Sequence, residues 1–108
     1  MIINYRLSKL ILISLINFQA DCEWIIMTTT VFKSHQISFK LNETKNDITM
    51  DGRGVKFVMT QQKSNQWIEI QNGDNNKTTI ITRNFLQDRM QIDLFIDNVT
   101  ATSIFKRR

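Results

Sequence analysis

A chain of 108 residues, 42% hydrophobic with a net charge of +4, has room for one modest core and not for two. One cysteine, Cys22, and one histidine, His35, exclude an internal disulfide and a Cys/His metal cluster. The basic residues are scattered except for Lys106-Arg107-Arg108 at the end, and no basic stripe with interleaved aromatics marks a nucleic-acid binder.

Residues 1–21 differ in character from the rest of the chain. Arg6 and Lys9 precede the apolar run Leu10–Ile16, and Ala20 offers a cleavage point, which is the pattern of a secretory signal. Phe18, three positions before that cut, is larger than such sites accept. The run is too short to span a bilayer and fits a buried strand equally well. Both readings stand on the local pattern.

From Glu23 onward the chain reads as strand after strand, eight in all: Glu23–Thr30, Ser34–Leu41, Asn46–Met50, Gly54–Gln62, Gln66–Asn72, Lys77–Asn84, Asp88–Ile96 and Val99–Arg107. The breaks are hairpin-like. Asp51-Gly52-Arg53-Gly54, Lys63-Ser64-Asn65, Asn72-Gly73-Asp74-Asn75-Asn76 and Asp97-Asn98 carry residues that tolerate turn conformations. Such an antiparallel meander curls into a barrel or sandwich. Thr79, Ile81 and Arg83 share one face of their strand, and Val99, Ala101, Ser103 and Phe105 one face of the last, so each face mixes polar with apolar groups. A dry sandwich core would sort them; a barrel with a partly wet interior tolerates the mixture.

No catalytic constellation is present: no nucleophile elbow, no phosphate-cradling glycine loop, no metal-ligand spacing. Asp47 and Asp51 read as solvated turn acids and His35 as a surface strand residue. Arg83 is mid-strand. If its face points inward the charge needs a partner, and it could clamp an anionic head group; if outward, it is an ordinary exposed arginine. Three glycosylation sequons, at Asn42, Asn76 and Asn98, matter only if the leader is a signal.

Trp24-x-Ile26-x-Thr28-x-Thr30-x-Phe32-Lys33, Ile37-Ser38-Phe39-Lys40-Leu41-x-Glu43, Thr49-x-Asp51-Gly52-Arg53-x-Val55-Lys56, Thr78-Thr79-Ile80 and Val99–Lys106 keep the order and spacing of one family. Over residues 22–108 the chain resembles the fatty-acid-binding proteins, the cytosolic lipid- and retinoid-binding proteins of the calycin type. That resemblance implies an all-β fold, a ten-stranded antiparallel barrel with a helical lid, holding a long-chain fatty acid or similar lipophilic carboxylate, with no enzymatic activity and no cofactor.

The resemblance makes Arg83 the interior arginine of the anion site. It puts Ser103 where a second arginine is usual, and Phe105 where tyrosine or phenylalanine occurs. Phe32 falls at the portal phenylalanine; Asp51 and Arg53 fall at the mid-cavity and portal side; Gln71 and Thr28 face the cavity. Loss of a charge at Ser103 should weaken anion capture. The family's opening strand, with its Gly-x-Trp motif, and its lid helices have no counterpart in residues 1–21. The expectation is therefore a partial barrel of eight to nine strands without a lid, residues 1–21 forming an apolar leader and 22–108 the barrel. Strand edges beside the gap would invite self-association. The resemblance also implies a cytoplasmic carrier, with transient membrane-surface contact as a further partner; the alternatives are a secreted, glycosylated lipid-binding β-protein, if residues 1–20 are a signal, and a non-functional fragment of a lipid carrier.

Overall fold

In the computed structural model, residues 2–8, 11–18, 23–49, 51–73 and 76–108 are described. Cys22, the Ala20 cleavage point, Met50 and the Asp74-Asn75 pair lie outside them. The described elements are ten strands: β1 (Ile2–Ser8), β2 (Ile11–Phe18), β3 (Glu23–Thr30), β4 (Ser34–Phe39), β5 (Lys45–Ile48), β6 (Gly54–Lys63), β7 (Gln66–Gly73), β8 (Thr78–Phe85), β9 (Arg89–Ile96) and β10 (Val99–Arg107). They form one antiparallel sheet in the order β4-β3-β2-β1-β10-β9-β8-β7-β6-β5.

The count corrects the expected eight to nine strands. Residues 2–18 supply two. β2 pairs with β3 from Ile11↔Thr30 to Phe18↔Glu23, as the apolar run would if it were a strand. The unexpected element is β1. Ile3 and Tyr5 alternate there with Asn4 and Arg6, a period of two that suits a strand with one buried face. Tyr5 is 3% exposed.

β1 also changes where the free edges lie. It pairs with β10 through Tyr5↔Arg107 and Arg6↔Lys106, and the Arg108 amide donates to the Asn4 carbonyl at 3.0 Å. No gap opens beside β10. The sheet's two edges are instead β4 and β5, and side chains span them: Lys45 Nζ donates to the Ser38 carbonyl at 2.7 Å and to its hydroxyl at 2.9 Å, and His35 Nε2 donates to the Ile48 carbonyl at 2.8 Å.

Turn chemistry sets the boundaries. The second predicted strand stops at Phe39 rather than Leu41, because the Glu43 amide bonds back to Lys40 and Asn42 adopts φ +67°. β5 ends at Ile48, where the Gly52 amide closes a turn onto Thr49 at 2.9 Å and Gly52 takes φ +88°. Asp97 and Asn98, at φ +51° and +62°, make the two-residue turn between β9 and β10 whose twist matches the strands it joins.

Inward positions sort into layers along the barrel. At one end Tyr5, Trp24, Phe39, Trp67 and Phe85 interlock, with Trp67 meeting Trp24, Phe39 and Phe85 edge-on at ring distances of 4.6, 5.7 and 5.0 Å. Each such pair adds about 0.5–1.5 kcal/mol beyond the area it buries. Met59, Met90 and Phe105 pack into the same core. The aromatic plug fills that end, leaving the space between the opposite strand ends open.

Candidate functional site

The open end holds a cavity of about 510 Å³, walled by inward residues of β3 to β9. Apolar wall comes from Ile26, Ile37, Val55, Phe57, Ile81, Leu94 and Ile96. Into it project Thr28, His35, Asp47, Arg53, Glu69, Gln71, Thr79 and Arg83. A hollow of about 550 Å³ over β5, β6 and β7 is lined largely by outward groups such as Ile48, Lys56 and Asn72 and encloses no charged pair. The interior space is the site.

Its centre is an ion pair. Trp67 pairs with Arg83 and Glu69 with Ile81, so Glu69 and Arg83 are diagonal neighbours on one face of β7 and β8. Arg83 Nη1 donates to Glu69 Oε1 at 2.8 Å, with side-chain exposures of 12% and 2%. The Gln71 amide donates to the other Glu69 oxygen. Met59 Sδ lies 3.7 Å from the same guanidinium nitrogen. A buried carboxylate needs this many partners, since an isolated one is costly to bury.

Two smaller charge groups rim the cavity. His35 lies 3.4 Å from the Asp47 carboxylate, joining β4 to β5. At the β5–β6 turn the Arg53 Nε donates to Asp51 at 2.7 Å and the Thr49 hydroxyl donates to the same carboxylate. Those contacts, with the Thr49 hydrogen bond the larger, hold the Asp51 carboxyl below its ordinary range. At the plugged end, burial pushes the Tyr5 phenol above its usual value, partly opposed by the Arg107 charge.

Arg83, Gln71, Thr28 and Arg53 are brought together around the one cavity. Asp51 sits at its mouth, largely exposed and turned to Arg53 rather than into the space. Ser103 is partly exposed on β10 and is not in the cavity wall; Arg83 pairs with Ile92 and Ile92 with Ser103, so it occupies the same cross-strand row two strands away. Phe105 belongs to the packed core at 6% exposure. Phe32, in the β3–β4 turn, is 96% exposed.

Two groups escaped the sequence reading. Glu69 is buried, and only the alternation Trp67-x-Glu69-x-Gln71 facing the arginine strand could have signalled it. His35, read as a surface residue, lines the cavity with a side-chain exposure of 23%. Among the described residues no group of three His, Cys, Asp or Glu could hold a metal ion, and no helix is long and apolar enough to cross a membrane.

No protein-family profile matches the chain. Individual relatives do. A fatty acid-binding protein of Schistosoma japonicum is 33% identical over 93 residues, covering 85% of this chain and 70% of that protein. This chain belongs to the fatty-acid-binding protein family. The muscle fatty acid-binding protein of Schistocerca gregaria is 35% identical over 81 residues, covering 75% of this chain and 59% of its own. The chain thus spans 59% to 70% of the length of these two relatives. Among solved structures, the Schistosoma mansoni fatty acid binding protein in complex with arachidonic acid superposes with a TM-score of 0.80 at 26% identity, covering 91% of this chain and 72% of that one. The fold of this fatty-acid-binding protein family member therefore follows that of the solved structure.

Proposed function

We propose that this protein binds a long-chain fatty acid or related lipophilic ligand inside its barrel and carries it through an aqueous compartment. The observation that carries the reading is the interior cavity: about 510 Å³, apolar walls, and a few convergent polar groups on Thr28, Gln71, Thr79 and Arg83. That volume lies within the roughly 300–1,000 Å³ of small-molecule sites. Each methylene moved from water into such a wall contributes about 0.8 kcal/mol, so the acyl chain supplies most of the affinity. The ligand for which the relatives are named belongs to the same class.

The reading extends to a carrier without catalysis and without a cofactor, working in the cytoplasm. In this reading Phe32, exposed beside Val31 in the β3–β4 turn, touches the tail on entry or a membrane surface during transfer. Self-association through β4 and β5 is the remaining partner expectation. Secretion, with residues 1–20 removed and glycan on Asn42, Asn76 or Asn98, is the alternative; mass spectrometry of the native protein separates the two.

The test is titration of delipidated protein with a fluorescent long-chain fatty acid. Saturable binding at one site per chain is expected, and Ile81→Trp, which fills the cavity from its wall, should abolish it while the protein stays folded. Absence of saturable binding, or unchanged binding in Ile81→Trp, would overturn the proposal.

A further inference from the structure

The carrier reading leaves open which head group the cavity prefers, and the charges inside it bear on that. Both arginines in the wall are already matched: Arg83 to Glu69 at 2.8 Å and Arg53 to Asp51 at 2.7 Å. Glu69 is nearly fully buried, and both of its oxygens are held, one by Arg83 and one by Gln71. The same row carries no second cation, because its β10 position is Ser103.

We propose that the Glu69–Arg83 pair makes the head-group site select an uncharged, hydroxyl-bearing lipid over an ionised carboxylate of the same chain length. An entering carboxylate would place a second negative charge against a buried one, with a single guanidinium between them, and like charges in a shared site repel. It would also have to compete with Glu69 for the arginine. A hydroxyl has no such conflict: it accepts from a guanidinium N–H that Glu69 does not use and donates to a carboxylate or threonine oxygen. Thr79, on the same face of β8 and 6% exposed, lines the same cavity and adds a further neutral oxygen to it. Fatty acids remain ligands through their chains; the pair shifts the preference among heads. Glu69 is thus the specificity-determining residue, and the inference rests on the carrier reading.

The experiment uses the full chain, delipidated, and a matched pair of fluorescent lipids with identical chains and terminal fluorophores, one ending in a carboxylate and one in a hydroxyl, at neutral pH. Wild type is expected to bind the hydroxyl lipid at least tenfold more tightly. Glu69→Gln, which frees Arg83 of its counter-charge, should tighten the carboxylate lipid at least tenfold and change the hydroxyl lipid less than threefold. Ser103→Arg leaves the pair intact and adds a cation about 10 Å along the row from Arg83, two strand spacings away. It should produce the same selective gain, and it serves if Glu69→Gln does not fold. A wild type that prefers the carboxylate tenfold, or an unchanged ratio in the folded variants, overturns the inference while leaving the carrier reading intact. Binding of neither lipid overturns both.

Discussion

Arg83 and Glu69 stand two residues out of register on neighbouring strands, on the same face, and their side chains meet at 2.8 Å within the barrel wall. Each is the other's reason for being there. A guanidinium facing an apolar cavity and a carboxylate 2% exposed would each be unfavourable alone.

The pair should therefore behave asymmetrically under mutation. Arg83→Leu leaves Glu69 buried without its counter-charge and is expected to cost about 3–5 kcal/mol, as breaking a buried pair does. The double replacement Arg83→Leu with Glu69→Leu should recover most of that, since removing both charges together is often neutral. Denaturant unfolding of the wild type, both singles and the double gives the coupling. A double variant as unstable as the sum of the singles would mean that the two charges do not depend on each other.

Tyr5 sets a limit at the alkaline end. Its phenol ionises above the usual value near 10 because burial disfavours phenolate. The unfolded chain loses that proton first, so the stability it carries is complete below about pH 10 and is lost as pH rises toward the folded value. Tyr5 is the sole tyrosine, so the tyrosinate absorbance reports it alone. Unfolding free energy should fall from about pH 10 upward in wild type and more shallowly in Tyr5→Phe. Tyrosinate forming at its ordinary pH in the folded protein would contradict this.

The β9–β10 turn offers a stabilising change. Asp97 and Asn98 both hold positive φ, where L-residues other than glycine are strained and asparagine is only the least affected. Asn98→Gly should raise stability by up to about 1 kcal/mol, and Asn98→Val should lower it. Thermal melts of the two variants check the sign; a destabilised Asn98→Gly would exclude strain at this position.

Much of the barrel was legible because alternation and turn residues agree. Val55, Phe57 and Met59 alternate with exposed or half-exposed neighbours, and Asp97-Asn98 permits only a tight return. β1 was obscured for a physical reason: a basic residue ahead of an apolar run is the same pattern for an export leader as for two strands, and Asn4 and Arg6 are polar because they point out of the wall. The site was half legible. Arg83 could be placed by parity and resemblance, but its partner could not. Glu69 looks like any charged strand residue until the register brings it diagonal to the arginine, and register is a property of strand pairs.

Among the described residues, nine strand pairs are joined by backbone ladders. The closure between β4 and β5 is made by the side chains of His35 and Lys45. Breathing along that line breaks no ladder; what it breaks are the side-chain hydrogen bonds of His35 and Lys45 and the edge-on contact of Phe39 with Phe57 at 6.4 Å. The dwell time of an enclosed molecule and the stability of the fold can then be tuned by different residues, and a substitution that quickens exchange at the seam need not move the melting point.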